Sequence, residues 1–261
     1  MTKIPFRIAM VALLVAMSSF SVIAADFTVE QVRQALATAT AENPADFSGK
    51  DLSRLDLSNV DFKGANLVGT SLFASRLVFA NLAGADLSRA NLNGAWLMGT
   101  NFEGAKLAGS SLLSLVILGG EVKERPNFAG ADLSGTRIIA DLPGTNLSGA
   151  DLSNANLGVN IKNQGMGQMR TNLVGADLSG ANLSSADLNR SIMSFANLRD
   201  ANLSGANLFR VDLSGADLTG ADLTGADLTE ADLENTVLKN VSGLDSVRGM
   251  DKTVNREKAL F

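Results

Sequence analysis

The 261-residue chain contains no cysteine, no histidine and no tyrosine, a single tryptophan and only four prolines. Each absence removes a kind of chemistry. Without cysteine there is no disulfide, no thiolate nucleophile and no thiolate metal site. Without histidine the chain lacks the usual general base and the commonest metal ligand near neutral pH. Only carboxylate or Ser/Lys chemistry stays formally open to an enzyme. Few prolines leave little rigid linker, whereas 25 glycines suit a backbone with many tight corners. The formal charge of -5 and the pI near 4.8 argue against direct binding to nucleic acid. No cofactor and no metal site is expected.

Long uncharged runs are also missing, with one exception at the N-terminus. Lys3 and Arg7 precede a stretch without charge from Ile8 to Ala25, and Val22-Ile23-Ala24 fits a small-residue cleavage rule just before Asp26. Residues 1–25 are therefore expected to be a secretory signal peptide, with a mature start at Ala25 or Asp26. A retained membrane anchor is the other reading, since about eighteen apolar or small residues is borderline for spanning. Ser18, Ser19 and Ser21 dilute the hydrophobicity and favour cleavage. No cysteine follows to carry a lipid. Cleavage removes Lys3 and Arg7 and takes the formal charge to about -7. A periplasmic or secreted location follows, with no stable membrane span in the mature chain.

What the rest of the chain holds is a period of five. A leucine or phenylalanine returns every fifth residue, almost always inside the word Ala-(Asp/Asn)-Leu-(Ser/Thr)-Gly. On an α-helix such steps turn each leucine roughly 140° from the last, so the apolar positions spiral instead of forming a stripe. In a flat strand an odd step alternates faces. A coil that turns a corner within each repeat keeps every fifth side chain pointing inward. The first run of centres goes from Phe47 to Ile117, a middle block from Phe128 to Leu157, and the last from Leu173 to Leu238, about 36 words in all. Two residues before each centre sits a small residue, as at Ala65, Ala85, Ala201 and Ala221, which also fits a narrow interior. Asp or Asn precedes the centre and suits solvent and turn backbone, and Gly often closes the word at the corner.

These words resemble the pentapeptide-repeat family over about 180 of the 261 positions. The resemblance implies an all-β solenoid, a right-handed quadrilateral β-helix with four words per coil and about nine coils, roughly 40 to 45 Å long. The period alone does not choose four sides. Residues twenty apart often pair an acid with a neutral group, as in Asp46/Asn66/Asp86, which avoids stacked carboxylates. Asp212 over Asp232 breaks that pattern, and a three-sided coil fares only modestly worse.

A solenoid needs its open ends covered. A short N-terminal capping helix is expected from Thr28 within a cap of 26–44, with Thr28 and Gln31 at capping-box spacing and Val29, Val32, Ala35 and Leu36 facing the first coil. The β-helix is expected over 45–240 and a C-terminal cap over 241–261, with a last helix from about Thr253 to Phe261. That cap either only covers the end or, as the resemblance implies, also serves dimerisation. The register slips near 119–126 and 158–170, where the chain is expected to bulge as loops.

One exterior stripe departs from the Asp/Asn/Ser/Thr rule. Folding at twenty residues per coil places Arg76, Trp96, Val116 and Arg137 on one face, with Phe79, Met98, Leu118 and Ile139 close by. An apolar band with Arg and the only Trp is what a protein-binding patch tends to contain. An external protein partner, self-association as a homodimer, and cover by a bulging loop all remain open. The acidic run Asp212, Asp217, Asp222, Asp227 and Asp232 points to successive sides and does not converge as a calcium site requires.

The expected object is thus an exported, non-catalytic scaffold or protein-interaction module. The resemblance also implies an alternative, a DNA-mimicking protein that interacts with a topoisomerase, which requires that the N-terminus not be an export signal.

Overall fold

The computed structural model describes residues 25–117, 124–159 and 169–261. The signal segment, Leu118 and most of both expected loops lie outside the described residues.

Among the described residues one α-helix, α1 (Val29–Ala37), precedes the coils. Its capping box forms: Thr28 Oγ1 accepts from the Gln31 N–H at 3.2 Å while Gln31 Oε1 accepts from the Thr28 N–H at 2.7 Å. Val32 is fully buried, and Ala35 and Leu36 pack against the core. Phe27, rather than Val29, joins them, its ring meeting Phe47 edge-on at 5.5 Å.

From Asp46 onward the chain winds as a stack of four-sided coils. Parallel bridges join residues twenty apart, as in Asp46↔Asn66↔Asp86, and so settle four words per turn. Face 1 starts at Asp46, face 2 at Asp51, face 3 at Asp56 and face 4 at Asp61. Most rungs are single bridges. Among the described residues only coils 4 and 5 extend one into a pair of short strands, β1 (Ser111–Leu113) on β2 (Arg137–Ile139). The backbone of each word is satisfied in three directions. Leu52 N–H donates to Ser71 O in the next coil, Arg76 N–H donates to Leu55 O in the preceding one, and Ser75 N–H closes its own turn onto Leu72 O. The third residue of that turn takes a positive φ, as a type II turn requires. Glycine fills it at Gly49 (φ 64°), but Phe79 (φ 56°) and Phe195 (φ 59°) do so as well.

The interior is filled by two inward columns. Every centre from Phe47 to Leu238 is buried, and from Val60 onward the residue two before it is buried beside it, whereas in the first coil Lys50 is exposed and Leu55 half-buried. Each leucine contributes on the order of 1.5 to 3 kcal/mol before entropy is charged against it. Where Thr or Ser replaces Ala in the small column, the hydroxyl usually bonds a backbone carbonyl, as Thr70 to Phe47 O at 2.7 Å and Thr100 to Leu77 O at 2.8 Å. Outside, amides ladder between coils on face 4. Asn81 Nδ2 donates to Asp61, Asn101 to Asn81 and Asn127 to Asn101.

The C-terminus differs from expectation. In place of a helix over 253–261 the chain adds a tenth, wider coil whose rungs are Ser242, Arg248, Val254 and Leu260, six residues apart. Three 3-10 turns, Leu244–Ser246, Met250–Lys252 and Arg256–Lys258, take up the extra residue per side. Left-handed Gly243, Gly249 and Asn255 start each turn. Val241, Leu244, Val247, Met250 and Ala259 close over the core.

Candidate interaction surface

Face 3 holds most of the predicted stripe. Arg76, Trp96 and Val116 are successive rungs of one ladder. The Arg76 guanidinium lies 4.7 Å from the Trp96 ring centroid, and its Nε is 3.7 Å from Asp56 one coil before. Phe79, 44% exposed, stands at the corner between faces 3 and 4. Met98 and Ile139 are buried instead of exposed.

Arg137 is not on this face. It bridges Ser111 and Asn156 on face 2. The reason is the length of the insertion. Between the rungs Val116 and Asn127 the chain spends eleven residues on a single step from face 3 to face 4, where the sequence suggests two words and a slip. The rungs that follow are therefore one face behind the count, and the four-residue step from Arg137 to Asp141 does not restore it, since Asp141 lies on face 3. The second insertion behaves alike, since Asn156 on face 2 is followed by Asn172 on face 3.

Apart from Phe79, sequence reasoning missed the corners. Phe73, 41% exposed, precedes Arg76 at the corner of faces 2 and 3, and the Arg54 guanidinium sits 5.9 Å from its ring. In coils 7 and 8 the same corner brings Arg190 and Arg210 to Phe209 at 5.9 and 4.9 Å. Phe195 is 70% exposed at the corner of faces 3 and 4. The signal was local: Phe73, Val78, Phe79 and Met98 are apolar where the words elsewhere mostly carry Ser, Thr or Gly after the centre, as in Ser48, Ser88 and Ser134.

The acidic exterior is held in a different way. Asp56 accepts from the Ser58 hydroxyl at 2.6 Å and from its N–H at 3.2 Å, and Asp222 accepts likewise from Thr224. Those hydroxyl and amide donors hold both carboxyls below the ordinary aspartate value. Among the described residues no group of Asp and Glu is placed to hold a metal ion, and no helix is long and apolar enough to cross a membrane. A groove of about 550 Å³ between the end of α1 and coil 1 is lined by Leu36, Pro44, Ala45, Asp61 and Lys63. It offers a lone carboxylate and no converging pair of acids.

A filled four-sided solenoid with one apolar exterior band is a repeat scaffold. The family of pentapeptide repeats matches in eight copies over residues 45–72, 75–112, 140–158, 169–205 and 206–242, more than half of the chain, and the chain belongs to that family. Its fold is the right-handed quadrilateral β-helix. HetL, a pentapeptide repeat protein involved in heterocyst differentiation regulation from the cyanobacterium Nostoc sp. strain PCC 7120, is similar over 90% of this chain and 94% of that one, with 28% identity and a TM-score of 0.65. QnrB1, a plasmid-mediated fluoroquinolone resistance protein, is similar over 75% of this chain and 87% of that one, with 18% identity and a TM-score of 0.45. A search of curated proteins finds no match.

Proposed function

We propose that the chain is an exported, non-catalytic scaffold that binds a protein through face 3. The observation that carries this is the contrast between faces. In coils 2 to 4 face 3 presents Arg76, Trp96 and Val116 between exposed Phe73 and Phe79, where face 4 presents Asn81, Asn101 and Asn127; outside those coils face 3 carries Asp56, Asp141, Asn172, Asp212 and Asp232. A binding role also suits an interior filled by buried Leu and Ala, which leaves no substrate cavity within the coils. The likeness to HetL, itself described as involved in regulation, supports a partner-binding role over catalysis.

Export is read from the N-terminal residues, where Lys3 and Arg7 precede the uncharged stretch that ends at Ala24-Ala25. Asp26 N–H donates to Asp51 O, and Asp51 N–H donates to Asp26 Oδ2, each at 2.7 Å. Asp26, next to the expected cleavage junction, is thus tied to the first coil, and processing at that junction keeps this pair of bonds.

A crosslinking pull-down from cells compares wild type with the Trp96→Ala plus Arg76→Ala double variant, with oligomeric state measured in parallel. Loss of a captured protein, or of a homodimer, is expected. Unchanged capture together with unchanged oligomeric state would eliminate face 3 as the binding face.

A further inference from the structure

Neighbouring coils are tied by two backbone bonds at each rung. Between coils 3 and 4, for example, Leu97 N–H donates to Val116 O and Val116 N–H to Ala95 O on face 3, while Phe102 N–H donates to Asn127 O and Asn127 N–H to Thr100 O on face 4. From coil 1 to coil 10, every junction but one carries both bonds on all four faces. The exception lies between coils 4 and 5. The face 3 ladder runs Asp56↔Arg76↔Trp96↔Val116 and resumes at Asp141↔Asn172, with no bridge from Val116 to Asp141. Among the described residues neither Ile117 N–H nor Asp141 N–H meets a backbone acceptor. On face 4 Phe128 N–H still donates to Asn146 O, but Asn146 N–H has no such acceptor either. Faces 1 and 2 stay tied, through Leu107 N–H to Asp132 O, Arg137 N–H to Ser110 O and the pairing of β1 with β2.

Two side-chain observations agree. Thr70, Thr100 and Thr236 each bond the carbonyl of the centre 23 residues back, in the preceding coil. The equivalent acceptor for Thr145 is the Ile117 carbonyl across this junction, and the buried Thr145 hydroxyl has no partner among the described residues. Leu115 and Ile117 are 7% and 3% exposed, whereas Ala95 and Leu97 one coil earlier are sealed.

Added length alone does not open a junction. Asn156 and Asn172 flank the second insertion, and both their ladders continue, to Asp187 and to Ile192. What sets coil 5 apart is the four-residue step from Arg137 to Asp141. Ser114 turns that corner in coil 4 with φ 54°, and Gly135 and Gly144 turn the corners on either side in coil 5, but Arg137-Ile138-Ile139-Ala140 contains no left-handed residue. A side shorter by one residue, about 3.3 Å of strand, starts the next face off its ladder.

We propose that coils 4 and 5 meet at a seam that opens on face 3 before any other junction, and that the rod unfolds as two units, coils 1 to 4 and coils 5 to 10. In a stack of repeats the coupling between neighbours decides how far unfolding spreads, so it halts where the bonds are fewest. The stripe of Arg76, Trp96 and Val116 belongs to the first unit alone.

The test is urea unfolding of the full chain with two probes. Trp96 fluorescence reports coil 3, because the chain has no other tryptophan and no tyrosine, and far-UV circular dichroism reports both units. Leu203→Ala removes a buried centre in coil 8 and should move the dichroism midpoint about threefold further than the Trp96 midpoint. If the substitution unfolds the second unit outright, Trp96 should keep its native emission. Both midpoints moving together, or native Trp96 emission lost with the second unit, would overturn the proposal. In the native wild type, the Ile117 and Asp141 amides should exchange with deuterium about tenfold or more faster than those of Leu97 and Asn172, the same positions one coil away. Equal protection would overturn the proposal as well. Neither measurement involves a partner, so face 3 as a binding face stands or falls separately.

Discussion

The ring of Phe79 lies over Gly99, one coil further on, and occupies the space that a Cβ on Gly99 would need. The pair Phe195 and Gly215 repeats the arrangement, with a Cβ on Gly215 falling 2.7 Å from the ring. The exposed ring and the bare corner beneath it form a unit.

Ala substitution separates the two costs at such a corner. Gly64→Ala, with nothing within 4 Å of the added carbon, should lose only the left-handed penalty of about 1 to 2 kcal/mol. Gly99→Ala should lose about 1 to 3 kcal/mol more in urea unfolding, because the ring must move as well. Phe79→Ala in the Gly99→Ala background should recover most of that difference. Equal losses at both glycines would mean that the ring is not seated there.

The small inward column gives a second contrast. Thr70 and Thr145 occupy equivalent, fully buried positions, but Thr70 Oγ1 bonds Phe47 O whereas Thr145 Oγ1 has no partner among the described residues. Thr70→Val leaves that carbonyl one donor short and should cost about 1 to 2 kcal/mol. Thr145→Val removes an unsatisfied hydroxyl and should be neutral or stabilising by up to about 1 kcal/mol. Denaturant midpoints decide; a large loss at Thr145 would contradict the burial described.

Much of this was legible in the residues because the period of five constrains the backbone directly. The word fixes which side chains point in, and the alternation of acid and amide at twenty-residue spacing matches the observed ladders, such as Asn207 Nδ2 donating to Asp187 Oδ1. Two things were not legible. An insertion's length in residues does not tell how many corners it spans, which displaced Arg137 by one face. The last coil keeps the ladder with a period of six in Leu244/Met250 and Val241/Val247, a pattern that a helix over 253–261 overlooks. Phe79 was named beside the stripe, but Phe73 and Phe195 escaped notice because each was read against its own word and not against its neighbours in the stack.

Acid should loosen the rod through its turn carboxylates. Asp56 and Asp222 titrate below the ordinary value of 3.8, chiefly because the Ser58 and Thr224 hydroxyls bond the ionised form. Their contribution is fully present above that unfolded-state value and is lost as pH falls through the lower folded-state pKa. The urea midpoint should therefore stay level from neutral pH to about 5 and fall below about 4. Asp56→Asn plus Asp222→Asn should show a shallower fall. An unchanged acid limb in that variant would place the sensitivity elsewhere.

Processing should leave Asp26 in place. N-terminal sequencing of protein from the extracytoplasmic fraction should begin at Ala25 or Asp26, and Asp26→Ala should lower the melting temperature by freeing the Asp51 amide of its carboxylate acceptor. A chain recovered only in the cytosol with Met1 or Thr2 at its start would refute export.

The central claim is that one of four similar faces does the binding, and coil 3 lets all four be compared at a single level. A photocrosslinking amino acid is placed in turn at Asp86, Asn91, Trp96 and Asn101, one rung on each face of that coil. After irradiation in cells, crosslinks should concentrate at position 96. Equal yields at all four positions, or crosslinks at 86, 91 or 101 with none at 96, would contradict the account.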